Sequence, residues 1–309
     1  MGETIAVPKD TVRGWTKVFR APPFYLVGVL PFGLGTLLAV RDGSELVWPV
    51  WALGTIAVAL VMAMTFLVNE YFDYETDSAN VGYNKFSGGS RSIPEGLVER
   101  RHVLIVAGIC GLLALALGLI IQFGFKTGPL TLPLGAAAAL IGYAYTGPPL
   151  RLIYRGLGEL LIGVSVGWMP VIIGYYLTGG LPAGPIVHLM SLPIALSIVM
   201  VIVVNEYPDY DSDVTSGKRN LVARMGRERA AWVFTALGLA TAASLAYIGF
   251  TYAEGWRRYI LALPVLLSLD VSTAIQVGAW KQAKRLEKLC LATILLNLGT
   301  IVLLMVVTW

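Results

Sequence analysis

The sequence is poor in the residue types that build disulfide frameworks and zinc sites. It contains two cysteines and two histidines in 309 residues, and Cys110 and Cys290 both fall within long apolar stretches. Neither a disulfide scaffold nor a Cys/His metal site is compatible with so few ligands. Any chemistry is therefore expected to depend on carboxylates.

Charge is also scarce. Charged residues make up 14% of the chain and hydrophobic residues 56%, and the mean hydropathy is +0.72. Soluble domains carry about 25% charged residues, and a core of this size could not bury so much apolar surface. This composition excludes a soluble globular protein and indicates a protein of the lipid bilayer.

Long runs without Asp, Glu, Lys or Arg predict transmembrane helices, since a helix needs about 20 apolar residues to cross the hydrocarbon. The runs cover residues 21–40, 46–69, 103–125, 127–150, 160–205, 230–253, 259–280 (interrupted only by Asp270) and 289–309. The run 160–205 has double length and contains a turn cluster at 178–185, so two spans are expected there. We predict an all-α, polytopic membrane protein with nine transmembrane helices.

The distribution of Lys and Arg predicts the orientation. With nine spans, 19 of the 23 basic residues fall on the side of the N-terminus, and only Arg41, Lys126, Arg257 and Arg258 fall on the other. Because basic flanks stay in the cytoplasm, we expect a cell (inner) membrane protein with a cytoplasmic N-terminus and its C-terminus opposite. The net charge of +4 then reflects topology and gives no indication of nucleic-acid binding.

Two acidic windows, 69–77 and 205–213, repeat nearly the same string with an offset of 136 residues. Asn, Asp and Asp recur at every fourth position, a spacing that brings side chains to one helix face. The six residues are Asn69, Asp73, Asp77, Asn205, Asp209 and Asp213. The repeat predicts one membrane domain over 1–309 with related halves of about 21–150 and 156–280 and a ninth span at 289–309. Pro208 predicts a less regular helix in the second window.

Converging carboxylates would repel one another without a cation between them, and oxygen ligands in this number suit Mg²⁺. Lys85, Arg91 and Lys218 follow the acidic windows, and Arg91 comes shortly after the pair Gly88–Gly89. Backbone amides and fixed positive charge of this kind bind phosphate oxygens. The combination predicts a diphosphate bridged by Mg²⁺, with a divalent-cation transporter as the alternative from another functional class.

These motifs resemble the UbiA superfamily of intramembrane prenyltransferases over essentially the whole chain. Glu70 departs from the pattern, since the family often has Asp at this position, but it lies off the face shared by Asn69, Asp73 and Asp77. The resemblance implies nine helices around a central cavity. It also implies that an allylic diphosphate is held there through Mg²⁺ and that its prenyl group passes to an electron-rich acceptor.

The resemblance also implies roles for individual residues. Asp73, Asp77, Asp209 and Asp213 would hold the metal, with Asn69 and Asn205 as further metal ligands or diphosphate contacts, and Arg20, Lys85, Arg91 and Lys218 would bind the diphosphate. Tyr143 and Tyr145 would steady the allylic cation or orient the acceptor, or they are interfacial aromatics. Glu159 would contact the acceptor or cap a helix N-terminus.

Within the family, the stretches 86–91, 145–149 with 154–159, and 209–213 with Gly217–Lys218 resemble members that prenylate 1,4-dihydroxy-2-naphthoate in menaquinone biosynthesis. Other acceptors (4-hydroxybenzoate, a chlorin or a glycerol phosphate lipid) remain alternatives. The expected partners are a polyprenyl diphosphate, an aromatic acceptor and the bilayer. No obligate protein partner is evident from the sequence.

Overall fold

The computed structural model describes residues 9–20, 23–180 and 182–309, and within these ranges the chain forms helices and loops without a β-strand. The helices are α1 (Lys9–Val18), α2 (Pro23–Arg41), α3 (Trp48–Phe72), α4 (Tyr74–Ala79), α5 (Arg100–Leu119), α6 (Thr131–Thr146), α7 (Gly158–Ile162), α8 (Met169–Gly179), α9 (Pro185–Ser216), α10 (Leu221–Met225), α11 (Arg227–Thr251), α12 (Arg257–Ile260), α13 (Ala262–Gln276) and α14 (Ala283–Thr308). A π-helical turn extends α5 over Ile120–Gly124, and a π-helical segment, Gly163–Trp168, joins α7 to α8.

Eight helical segments of the described residues are long and apolar enough to cross a bilayer. They are α2, α3, α5 with its π-turn, α7 continued into α8, α9, α11, α12 continued into α13, and α14. A ninth helix, α6, has 16 residues. It still crosses the bundle, because the Leu130 amide before it bonds Tyr176 in α8 and Thr146 at its end bonds Asn69 in α3. The predicted all-α polytopic fold is confirmed.

The bounds predicted for the fourth span, 127–150, are too wide. The helix covers Thr131–Thr146. Gly128–Pro129 precedes it and Gly147–Pro148–Pro149 follows it, and proline cannot continue a helix because it lacks the amide donor. These residues form the turns at the two ends of α6.

The expectation for Pro208 is wrong. Helix α9 runs without interruption through the second acidic window, whereas the first window is divided where α3 ends at Phe72 and α4 begins at Tyr74. A proline in a helix leaves the carbonyl four residues earlier without its amide partner. Here that carbonyl, of Val204, accepts a weak hydrogen bond from the Cys290 thiol on α14 at 3.9 Å. A neighbouring helix thus contacts the group that Pro208 leaves unpaired.

Glycines of the spans serve close helix packing. A Cβ at Gly35 in α2 would overlap the backbone of Val171 in α8, and one at Gly174 in α8 would overlap the carbonyl of Phe32. A Cβ at Gly167 would overlap Ala195 in α9. Small residues at such crossings let helix backbones approach closely, which fixes α2, α8 and α9 relative to one another.

Asp270, which interrupts the run 259–280, lies on the exposed outer face of α13. At the end of the bundle away from the acidic windows, Arg41 and Arg257 line one small cavity with the last residues of α14. The predicted topology also places Arg41 and Arg257 on the same side of the membrane. The division into two related halves stays a prediction.

Candidate active site

The two acidic windows lie side by side at one end of the bundle and line a single cavity of about 1050 Å³. The cavity has a polar mouth formed by the ends of α3 and α9 and by the loops that follow them. Its inner wall is mostly apolar and is formed by residues of α3, α6, α7 and its π-helical extension, and α9, among them Val61, Phe66, Ile141, Val166 and Ile202. The cavity therefore joins a charged binding surface to a hydrocarbon-like interior.

The first window places three predicted residues at the mouth. Asp73 terminates α3, and its side chain accepts from Tyr154 at 3.4 Å and from Lys218 at 3.3 Å. Asn69, one turn earlier, accepts from the Thr146 hydroxyl at 2.8 Å. Asp77 lies in α4 across the helix break. Burial and then the neighbouring carboxylates of Asp73 and Glu70 raise the pKa of Asp77 to about 8.

The second window contributes Asp209, Asp213 and Asn205 from one uninterrupted helix face. Asp209 accepts from Asn80 at 2.6 Å and from the Gly88 amide at 3.3 Å, so the loop after the first window contacts the second. Asp213 is 2% exposed and accepts from Asn220 at 2.6 Å. The side-chain oxygen of Asn205 and Oδ1 of Asp213 are buried without a hydrogen-bond partner.

Lys218 links the two windows. Its ammonium lies 3.3 Å from Oδ2 of Asp73 and 3.8 Å from Oδ1 of Asp213. Burial opposes the charge, but the carboxylates of Asp73 and Asp213 outweigh it and raise the pKa of Lys218 well above its ordinary value. The residue is thus a fixed positive charge between two acidic helix ends.

The glycine-rich loop after the first window also faces the cavity. Gly88 and Gly89 have φ values of +73° and +67°, in the left-handed region that favours glycine. A Cβ at Gly89 would overlap the Asp77 carboxylate, so only glycine permits this approach. Arg91 stacks on the Tyr83 ring at 4.4 Å and donates to the backbone carbonyl of Asp77.

The other predicted cations differ in their placement. Arg20 lines the cavity, donates to Glu70 at 3.3 Å and lies 4.9 Å from the Phe66 ring centroid. The Lys85 side chain is 81% exposed and pairs with Glu287 at 3.0 Å. Lys85 therefore lies at the exposed rim of the cavity. Arg20, Arg91 and Lys218 are less exposed, and their partners hold them in place.

The two predicted tyrosines separate. Tyr145 lines the cavity, whereas Tyr143 is 38% exposed, lies outside the lining and packs edge-on against Phe72. Residues two apart on a helix differ by about 200° around the axis, so both could not face the cavity. The site role predicted for Tyr143 has no support in this geometry.

Glu159 is buried and does not line the cavity. Its carboxylate accepts from the backbone amide of Leu221 at the start of α10. The sequence left a choice between acceptor contact and capping of its own helix. The side chain caps a different helix, in the loop that carries Lys218.

Sequence reasoning missed several residues that organise the site. Asn80 and Asn220 donate to Asp209 and Asp213, and Tyr154 donates to Asp73. Glu70 lies off the face shared by the predicted ligands, yet it is 3% exposed and hydrogen-bonded to the glycine-rich loop. The sequence carries one indication that Glu70 matters, because Glu70 and Glu206 occupy the same position in the two windows.

The oxygen atoms of the site fit a hard divalent cation whose coordination shell is completed by a bound substrate. Within the described residues, no three or more His, Cys, Asp or Glu side chains are grouped as ligands of one ion, so the six predicted ligands do not form one closed cage. Mg²⁺ usually takes one or two carboxylates and completes its shell with water and substrate phosphates. The buried unpartnered oxygens of Asn205 and Asp213 are donors of the required kind.

The fold and site define a polytopic α-helical membrane protein with an acidic, cation-flanked cavity that opens into an apolar interior. The UbiA prenyltransferase family matches residues 29–305. The chain therefore belongs to the UbiA prenyltransferase family.

Among curated relatives, chlorophyll synthase of Arabidopsis thaliana is 28% identical over 65% of this chain, and the chain spans only 49% of that protein's length. A 2-carboxy-1,4-naphthoquinone phytyltransferase of Synechocystis is 25% identical over 76% of this chain and 75% of the relative. A 1,4-dihydroxy-2-naphthoate octaprenyltransferase of Bacillus subtilis is 29% identical over 61% of this chain and 57% of the relative.

Solved structures share the fold. A digeranylgeranylglyceryl phosphate synthase superposes with a TM-score of 0.66 at 18% identity, covering 97% of this chain and 99% of the other. A UbiA homolog from Archaeoglobus fulgidus bound to DMAPP and Mg²⁺ superposes with a TM-score of 0.61 at 18% identity, covering 93% and 98%.

Proposed function

We propose that the protein catalyses Mg²⁺-dependent transfer of a polyprenyl group from an allylic diphosphate to an aromatic acceptor, 1,4-dihydroxy-2-naphthoate. The observation that carries the proposal is one cavity in which two acidic helix ends and three held cations face an apolar interior. The acids and cations fit a metal-bound diphosphate, and the apolar interior fits a hydrocarbon tail. An ion pathway would have no use for the apolar interior or for Lys218 between the carboxylates.

Mg²⁺, when bound, would neutralise charge on the departing diphosphate. The four aspartates and the two asparagines of the acidic windows would supply the oxygen ligands that hold it, together with phosphate oxygens and water. Arg20, Arg91 and Lys218 supply fixed positive charge for the phosphate oxygens. As the allylic C–O bond breaks, the diphosphate would leave with its electron pair, a bond to the acceptor ring would form and the ring would lose its carboxyl group as CO₂. The ring face of Tyr145 would stabilise positive charge on the prenyl group during this step. The apolar interior would exclude water, which would otherwise capture that group.

The choice of acceptor is supported by the resemblance of three motif stretches and by the relatives named for naphthoate and naphthoquinone substrates. The relatives named for chlorophyll and glyceryl phosphate lipids make competing acceptors part of the test. We also propose that the protein lies in the cell (inner) membrane, with the cavity mouth and the N-terminus on the cytoplasmic side. The 19 basic residues on that side support this orientation.

The test is product identification by mass spectrometry with purified protein in liposomes, Mg²⁺ and a long allylic diphosphate. The naphthoate and 4-hydroxybenzoate compete as acceptors. The expected product is a prenylated, decarboxylated naphthoquinol that disappears with EDTA and in Asp73→Ala and Asp209→Ala. Matched controls are Glu75→Ala and Asp211→Ala, whose carboxylates belong to the same windows but are exposed and pair with Arg100 and Arg227.

Three outcomes count against the proposal in different ways. Exclusive prenylation of 4-hydroxybenzoate would contradict the acceptor and retain the reaction. Consumption of the diphosphate only with a chlorin or a glycerol phosphate lipid would do the same. No consumption with any acceptor, with Asp73→Ala behaving like the unsubstituted protein, would refute the reaction itself.

A further inference from the structure

Glu70, the second residue of the first acidic window, is buried and fully engaged. Oε1 accepts from the Ser90 amide at 2.8 Å and from Arg20 at 3.3 Å, and Oε2 accepts from the Ser90 hydroxyl at 2.7 Å. Ser90 lies between Gly89, which contacts Asp77, and Arg91. Glu70 therefore attaches the cation-bearing loop of the first half to the end of α3.

Glu206 holds the same position in the second window, 136 residues later. It is also buried, and Oε2 accepts from the Val222 amide at 3.3 Å. The other oxygen of this carboxyl group, Oε1, is buried without a hydrogen-bond partner. Glu159 accepts from the Leu221 amide.

These contacts fix the loop that carries Lys218. The first three amides of α10, at Leu221, Val222 and Ala223, are capped by Glu159, Glu206 and Asn220 respectively. Lys218 precedes this set by three residues and reaches Asp73 and Asp213. Replacing Glu159 would leave the Leu221 amide without its acceptor, and replacing Glu206 would leave the Val222 amide without its acceptor. A buried donor left unpaired in this way is costly.

We propose that Glu70 and Glu206 are equivalent positioning residues, each of which fixes the cation-bearing loop that follows its own acidic helix end, Glu206 together with Glu159. Each sets the place of a cation that binds the diphosphate, Arg91 in one half and Lys218 in the other, so this consequence for catalysis rests on the proposed function.

The experiment compares limited trypsin digestion of the unsubstituted protein and of its variants, each in detergent. The fragments are identified by mass spectrometry. Glu206→Ala should speed cleavage after Lys218 about 10-fold and leave cleavage after Arg91 unchanged, because cleavage follows the population of the locally opened loop. Glu70→Ala should do the reverse. The exposed neighbours Glu75→Ala and Asp211→Ala are the controls and should change neither site.

A conservative variant distinguishes positioning from bulk stability. Glu206→Gln keeps a side-chain oxygen that can accept from the Val222 amide, so cleavage after Lys218 should stay at the unsubstituted rate. In transfer assays, Glu206→Ala should raise KM for the prenyl diphosphate about 10-fold, with a smaller change in kcat, and Glu206→Gln should restore it. The Gln variant also serves if the Ala variant does not fold.

The proposal would be overturned if either Ala variant sped cleavage equally in both loops. It would also be overturned if the cleavage rate did not change in the loop next to the substitution. Failure of Glu206→Gln to protect the Lys218 loop would also overturn it. The digestion needs no activity, so an absence of prenyl transfer in the unsubstituted protein would refute the proposed function while the digestion still decides this inference.

Discussion

Lys218 extends its ammonium from the loop after α9 to within 3.3 Å of Oδ2 of Asp73 at the end of α3. Asp73 belongs to the first acidic window, and Lys218 follows the second window, 145 positions later in the chain. With Asp213 on the other side of the ammonium, the contact makes one electrostatic unit of the two helix ends. A diphosphate bound there would meet this positive charge without requiring a loop movement.

Replacement of Lys218 by Met should raise KM for the prenyl diphosphate about 10- to 100-fold, because a charged hydrogen-bond donor to phosphate is lost from a buried site. The carboxylates of Asp73 and Asp213 would also lose their shared cation, so the melting temperature without Mg²⁺ should fall and Mg²⁺ should restore it. Steady-state kinetics and thermal unfolding measure both effects.

The control for this substitution is Arg219→Met, which removes a basic residue from the next position, where the side chain is exposed. It should leave KM and the melting temperature nearly unchanged. An equal effect of the two substitutions would mean that net loop charge, rather than the bridge from Lys218 to Asp73, binds the diphosphate.

Mg²⁺ binding should strengthen as the pH rises through about 8. The pKa of Asp77 is raised to about 8 by burial and by nearby carboxylates, so at pH 7 this group is mostly protonated, and a metal must displace the proton. The apparent Kd for Mg²⁺ should fall from pH 7 to pH 8 and level off above pH 9. Calorimetry in buffers of different ionisation enthalpy would report the released proton.

The control for the pH dependence is Asp77→Asn, which should weaken Mg²⁺ binding and flatten its dependence on pH over this range. A Kd that is already constant between pH 7 and pH 9 in the unsubstituted protein would contradict the role of Asp77.

The acidic windows could be predicted because their information is local. A spacing of four places Asn205, Asp209 and Asp213 on one helix face whatever the rest of the chain does. The break at Asp73 and the regular helix through Pro208 were not predictable in this way. The carbonyl freed by Pro208 finds a partner in Cys290, 86 residues later in the chain, and no local pattern reports such a contact.

The cations show the same limit. Lys85, Arg91 and Lys218 looked alike in sequence, since each is a basic residue beside an acidic window. Their difference is tertiary, because Lys218 enters the space between α3 and α9 while Lys85 turns to Glu287 at the surface. Glu70 was predictable in part, because recurrence of Glu at the same position in both windows was visible in the sequence.

Substitution of Tyr145 by Leu should lower kcat about 10-fold, and the same change at Tyr143 should leave most of the activity. Tyr145 lines the cavity and Tyr143 does not, although both lie in α6 and differ by two positions. The ring face that would stabilise positive charge on the prenyl group is lost in Tyr145→Leu and kept in Tyr145→Phe, so Tyr145→Phe should keep most of kcat. An equal loss in Tyr145→Phe and Tyr145→Leu would contradict the role of the ring, and a larger loss for Tyr143→Leu than for Tyr145→Leu would contradict the assignment of Tyr145 to the site.

Gly89→Ala should impair Mg²⁺ and diphosphate binding more than a change of one methyl group would suggest. Gly89 has a φ of +67°, and a Cβ there would overlap the Asp77 carboxylate. The methyl group must displace Asp77 or the loop, and a ligand misplaced in this way costs about 10- to 100-fold in metal affinity. Gly96→Ala is the matched control, since its φ is +70° and no atom lies within 4 Å of its Cβ position. Both variants carry the same backbone strain, so a difference in Mg²⁺ affinity isolates the contact with Asp77, and equal affinities would show that this contact does not shape the metal site.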